Sequence, residues 1–412
     1  MTDGIGLGLL EGYRVLDLTD ERGIYCTKLL ADLGADVILV EPPSGHKGRH
    51  RGPYFHDEVH PEKSLYFLYF NTDKHSITLN LEHPDGQDLF KKLVKKADVV
   101  VESFQPGYLK KLGLDYKALS KINPKLVMAS VTLFGQTGPY KNYKGSDLVA
   151  MAMGGYMQIT GNPDHPPLRL GNEHAHYPGS QYMAVGITGA LYYRDFVSGK
   201  GQHIDVSQVE ATIPYHIEQH QAMMWHFTGQ NPVRQGLNSQ VGVPLGAFPA
   251  KDGWIGVLTV AAQEWDNLAK WVFEVTGEKA ILDESLKGVV GTGRRQRYEE
   301  VNAYITAFTT QVNRDELFHD GQQKRGVPLH PVNAVEDLLN DPHLKASDFW
   351  MELDHPVVGK LKYPKRGPFD GEDVPALRKA APLLGEHNEE IYCGELGLTK
   401  KDLALLCSAG II

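Results

Sequence analysis

Between residues 14 and 131, short apolar runs alternate with stretches of helical spacing. That alternation confines the chain to a parallel sheet with helices on both faces. Residues 14–18 (RVLDL) form an apolar run that ends in turn chemistry, and residues 26–33 then carry helical spacing up to Gly34. Residues 36–40 (DVILV) read as a buried strand closed by Pro42 and Pro43. Residues 76–81 (SITLNL) alternate as a half-buried strand does, and residues 85–97 place Leu89, Phe90, Leu93 and Val94 on one helical face. Strands at 98–101 (DVVV) and 126–131 follow. The spacing predicts a further helix over 181–196, in which Gly186, Gly189 and Ala190 permit close packing, and a strand over 203–206.

Beyond about residue 230 the pattern changes. Residues 236–254 are rich in glycine and proline and read as loop, and 264–275 and 297–310 have amphipathic helical spacing. At 412 residues the chain is long enough for two or three units. The expected division is a large domain over 1–225, a small domain over 226–330, and a C-terminal segment over 331–412 that returns to the large domain. The net charge of −9 argues against a nucleic-acid or anionic-membrane partner. Three cysteines without CxxC spacing exclude a disulfide scaffold or a cysteine zinc site, and they suit a reducing, cytoplasmic compartment. The N-terminus lacks the pattern of a signal peptide, and no apolar run has the length of a membrane span. His174 with His176, and His216 with His220, have the spacing of paired metal ligands but no HExxH glutamate, so no metal is expected.

Several ordered motifs then narrow the family. Leu16-Asp17-Leu18 is followed by Leu30-Ala31-Asp32-Leu33-Gly34-Ala35-Asp36 and Glu41-Pro42-Pro43. Asn71, Lys74 and SITLNL form an N-x-x-K-x-S-I-T-L-x-L segment. Phe134-Gly135-Gln136-Thr137-Gly138-Pro139-Tyr140, Gly199-Lys200-Gly201-Gln202 with Asp205-Val206-Ser207 and Glu210, and Lys251-Asp252-Gly253-Trp254 come after it. Along nearly its whole length the chain resembles the class III CoA-transferase (CaiB/BaiF) family, which also includes the α-methylacyl-CoA racemases. The resemblance implies an α/β fold: a Rossmann-like large domain with a parallel sheet, a smaller α+β domain, and two chains interlocked as a dimer.

The departures from the family gather where its chemistry should be. The nucleophilic aspartate of the family stands before a Tyr or Phe, and here His176 stands before Tyr177. The Ala-Gly-Pro loop after the first strand is replaced by Asp20-Glu21-Arg22-Gly23-Ile24-Tyr25, the Asn before Phe104 is Ser103, and the racemase GHD segment reads Gly145-Ser146-Asp147. A carboxylate can carry CoA as a thioester, whereas an imidazole has no acyl carbon to do so. No catalytic residue is therefore assigned, and Glu173, three residues upstream of His176, is the alternative carboxylate. The resemblance implies a CoA thioester as substrate with no permanently bound cofactor, and contacts to CoA from Asn71, Lys74, Phe104, Lys111 and Lys144. It further implies a homologous, aspartate-bearing partner subunit, a dicarboxylyl-CoA donor and an aromatic dicarboxylate acceptor. Three alternatives stay open: a self-sufficient transferase using another carboxylate, a racemase-like enzyme using His176 as base, and a non-catalytic binding or regulatory protein of the same fold.

Overall fold

The computed structural model describes residues 8–216, 224–226, 229–239, 242–289, 292–365 and 377–412. The chain divides into two units, residues 1–155, 171–220 and 343–412 forming the first and residues 156–170 and 221–342 the second.

In the first unit, β1 (Arg14–Leu18), β2 (Asp36–Glu41), β3 (Lys74–Thr78), β4 (Val99–Glu102), β5 (Val127–Thr132) and β6 (His203–Ser207) form one sheet. The strands run parallel in the order β3-β2-β1-β4-β5-β6, with Val15 level with Val37 on one side and Val99 on the other. Alternate residues serve opposite faces. Leu16, Ile38, Val100 and Met128 face α2 (Pro84–Val94), where Leu89, Phe90, Leu93 and Val94 cover them. Val15, Val37, Val99, Val127 and Ala129 face α1 (Ile24–Asp32) and α3 (His176–Tyr193), which contribute Cys26, Leu30, Met183, Ile187 and Leu191.

The C-terminal segment closes the β3 edge. His387 N–H donates to the Ser76 carbonyl, Ser76 N–H donates to His387 Nδ1, Thr78 N–H donates to Asn388 Oδ1, and Tyr392 Oη donates to the Thr78 carbonyl. An open strand edge is thereby removed. Asn80 N–H donates to the Ile411 carbonyl at 2.7 Å, and Arg14 pairs with Glu395.

One polar cluster is buried under the sheet. Lys74 Nζ donates to Asp17 Oδ2 at 3.0 Å, to Thr27 Oγ1 at 2.8 Å and to Asn71 Oδ1 at 3.0 Å, and both charged side chains are fully buried. Burial by itself would push the Asp17 carboxyl up; Lys74, Thr27 and Thr19 overcome it and hold Asp17 below its usual range.

In the second unit, β7 (Leu245–Ala250), β8 (Gly253–Leu258) and β9 (Leu329–Pro331) form an antiparallel sheet in that order. It shares a core with α4 (Ala262–Thr276) and α5 (Tyr298–Thr309) through Phe248, Ile255, Trp265, Leu268, Val301 and Phe308. The expected loop over 236–254 thus contains a strand. β7 (LGAFPA) holds Gly246 and Pro249, which disguise it, and it is an edge strand, where a proline is tolerated. A two-stranded hairpin, β10 (Trp350–His355) with β11 (Gly359–Pro364), belongs to the first unit.

Lys74→Met leaves Asp17 ionised and buried with no cation. It is expected to cost about 3–5 kcal/mol of stability in urea unfolding. Adding Asp17→Asn should recover part of that loss, and a single variant as stable as the wild type would contradict the assignment.

Candidate functional site

The strand order turns between β1 and β4, so their carboxyl ends open a crevice of the kind in which parallel α/β sheets bind ligands. Two loops meet there. Asp20 N–H donates to Ser103 Oγ, and Ser103 Oγ donates back to Asp20 Oδ1, both at 2.8 Å. Arg22 clamps the same carboxylate, with Nε at 2.9 Å from Oδ1 and Nη2 on Oδ2. Burial would raise the Asp20 pKa, but Arg22 outweighs it and holds the group below the usual carboxylate range. The end of β4 carries Glu102, which accepts from Phe104 N–H at 2.7 Å. Burial pushes its carboxyl up to about 7.

The start of α3 forms the next wall. The helix begins at His176, five residues before the expected start, because Pro178 and Gly179 look like breakers in sequence. In the first turn the N–H that proline lacks has no intrahelical partner to lose. Ala175 N–H donates to Asp147 Oδ1 at 2.6 Å, fixing this end, and Ser180 Oγ donates to the Arg22 carbonyl at 3.2 Å. His176 is buried, with Gln208 Nε2 donating to its Nδ1 at 2.7 Å and Glu173 Oε2 lying 3.6 Å from its Nε2. With Nδ1 as acceptor, the neutral ring carries its hydrogen on Nε2. Burial lowers the His176 pKa; Glu173 and Asp147 pull the other way and do not prevail. The helix N-terminus also disfavours an imidazolium.

Glu173 has its own cation, Arg51 Nη1, at 2.7 Å. The Arg51 guanidinium lies over the Tyr66 ring, 4.2 Å from its centroid. Arg49, two residues earlier, is fully buried on Glu41 and anchors this loop. An aromatic wall completes the surroundings: Tyr66 meets Phe70 at 4.7 Å, Phe70 meets Tyr25 at 6.1 Å, and Tyr25 meets Tyr177 edge-on at 5.1 Å.

Of the residues expected to touch CoA, Asn71 and Lys74 turn their polar ends to Asp17, Thr27 and each other inside the protein, with no end left for solvent. Phe104 is half-buried and stacked on Tyr108 at 4.7 Å, at the start of the short helix Tyr108–Lys111 that carries Lys111 to the surface. Lys144 is exposed, one residue beyond Tyr143. Gln208, Arg51 and Glu102 were not anticipated. Gln208 lies between the motif residues Ser207 and Glu210, which was a usable signal, whereas Arg51 is one of many loop cations.

For a metal, the ligand atoms of His75, His387 and Glu390 lie within 4.8 Å of one another. His75 Nδ1 is bound to Asp36, and His387 Nδ1 accepts Ser76 N–H, so the neutral His387 ring carries its hydrogen on Nε2 and has no lone pair to offer. His174 sits 6.2 Å ring to ring from Tyr177; His220 lies outside the described residues.

Glu102 provides a pH test. Its folded pKa is raised above the unfolded value, so no stability is lost below about pH 4.5, and the cost grows until the group ionises near 7. Glu102→Gln is expected to stabilise the protein by up to about 3 kcal/mol at pH 8 and to have no effect at pH 4.5. Denaturant midpoints across that range check this; a difference independent of pH would contradict it.

The family model for CoA-transferase family III matches residues 10–388. The chain is 34% identical over 391 residues to the succinyl-CoA:(R)-benzylsuccinate CoA-transferase subunit BbsE of Thauera aromatica, covering 93% of each. It is 35% identical over 385 residues to the acetyl-CoA:oxalate CoA-transferase of Acetobacter aceti, covering 92% of this chain and 94% of that one. A crystal structure of a CaiB/BaiF family protein from Brucella suis superposes with a TM-score of 0.81 at 32% identity, over 94% of this chain and 99% of the other. With the switch-point crevice, the sheet order and these full-length matches in agreement, the chain belongs to CoA-transferase family III.

Proposed function

We propose that this chain is the non-nucleophilic subunit of a heteromeric class III CoA-transferase, in which a homologous partner supplies the aspartate. The reaction assigned to the assembly moves CoA from a dicarboxylyl-CoA such as succinyl-CoA to a carboxylic acid such as (R)-benzylsuccinate. One observation carries the reading: the buried side chain at the first position of α3 is a neutral imidazole.

The chemistry runs through acyl exchange on a carboxylate. An enzyme carboxylate attacks the donor thioester, giving a mixed anhydride and CoA thiolate. The thiolate attacks the enzyme's acyl carbon, releasing the donor acid and leaving CoA as an enzyme thioester. The acceptor carboxylate attacks that thioester, and the returning thiolate takes the acceptor acyl group, freeing the enzyme carboxylate. His176 has no acyl carbon for the second step. Its Nδ1 lone pair is occupied by Gln208 and its Nε2 carries the hydrogen, which also argues against a base that removes a substrate α-proton. Glu173 is a carboxylate in reach, but its charge is engaged by Arg51. In this reading Phe104, Lys111 and Lys144 are the residues that would meet CoA as substrate, the lysines acting as point charges on its phosphates. Asn71 and Lys74 hold the sheet instead.

The similarity to a relative named as one subunit of an enzyme favours a heteromer. Affinity purification of the tagged chain from its own source tests it. A stoichiometric homologous chain with Asp at the position of His176 is expected, with CoA transfer from succinyl-CoA to (R)-benzylsuccinate only when both chains are present. A homomeric preparation that transfers CoA unaided would refute the proposal.

A further inference from the structure

Beside the histidine lies a cation whose arrangement the transfer chemistry leaves unused. Arg51 is 37% exposed at its side chain and Glu173 34%, so solvent reaches both, unlike the buried pairs beneath the sheet. The face of Tyr66 fixes the guanidinium plane 4.2 Å away, an arrangement that orients a fork of N–H donors. Glu173 takes the fork through one oxygen at 2.7 Å. Tyr66, Tyr25 and Tyr177 are each half-buried; Tyr66 and Tyr177 both lie within the electrostatic reach of this pair, and Tyr25 joins them through Phe70 and its edge contact with Tyr177.

We infer that Arg51 is a receptor for the carboxylate of an aromatic acid, that this carboxylate displaces Glu173 from the guanidinium, and that the Tyr25–Tyr177 rings receive the aromatic group. A ligand carboxylate takes Arg51 from Glu173 by exchanging one charge-assisted pair for another, so the gain in affinity comes from bidentate geometry and from burial of the ring. The inference rests on the reading that this subunit still admits substrate, and it narrows the acceptor to acids with an aromatic ring within a few bonds of the carboxylate. Binding here requires no covalent step.

Calorimetric titration of the full-length protein, in the assembly in which it purifies, uses three probes: 3-phenylpropionate, its neutral amide, and propionate. The acid is expected to bind at least about tenfold more tightly than either of the others. Arg51→Gln should weaken binding of the acid by about tenfold and leave the amide unchanged, Arg51→Lys should lose less, and Glu173→Gln should tighten binding because the competing carboxylate is gone. Equal unfolding midpoints for the variants verify that they fold. Equal affinity for acid and amide, no binding by the wild type, or an Arg51→Gln variant that binds the acid as the wild type does would overturn the inference. A homomeric, self-sufficient transferase with an intact Arg51 effect would defeat the proposed subunit role and leave this site standing.

Discussion

The turn in strand order between β1 and β4 is the constraint from which the site follows. Neighbouring connections leave that point in opposite directions, which opens a crevice at the carboxyl ends of those two strands. The Asp20–Ser103 exchange ties the two loops across the gap, and Arg22 is held in place by the same carboxylate. The Arg22 carbonyl then receives Ser180 from the first turns of α3, so the helix that presents His176 is registered to the crevice by hydrogen bonds as well as by packing.

The groups around the crevice differ in how they manage charge. Asp17 and Lys74 are sealed from water and serve the fold. Asp20 is kept ionised by Arg22, whereas burial pushes the ionisation of Glu102, deeper and without a direct cation, up to about 7. His176 is kept neutral by burial at a helix end that would stabilise an anion. That position suits a carboxylate or an oxyanion, and this chain fills it with a side chain unable to be either. In the proposed reading His176 stands in the aspartate's place, held there by the hydrogen bond from Gln208.

Much of the sheet was legible because β1, β2, β4 and β5 are covered on both faces and therefore read as near-continuous apolar runs. β3 starts two residues and ends three residues before the expected strand: its first residue is the buried Lys74, and no periodicity rule counts a lysine as core. β7 was hidden by its glycine and proline, and the start of α3 by Pro178. At the site, the position of His176 was legible from the flanking motifs. Gln208 and Arg51 were not, because topology brings them to His176 and Glu173 over separations of 32 and 122 residues. Asn71 and Lys74 show the reverse error: residues shared with a family of CoA enzymes turned out to face the inside of this protein.

The account's central claim is that the carboxylate chemistry of this family does not occur on this chain. Incubating the intact assembly with succinyl-CoA, trapping enzyme thioesters with borohydride and mapping peptides from both subunits tests that claim most directly. The account predicts reduction of a single aspartate on the partner chain and an unmodified peptide spanning Glu173 and His176. A reduced or hydroxylamine-labelled Glu173, or any other modified carboxylate on this chain, would contradict it.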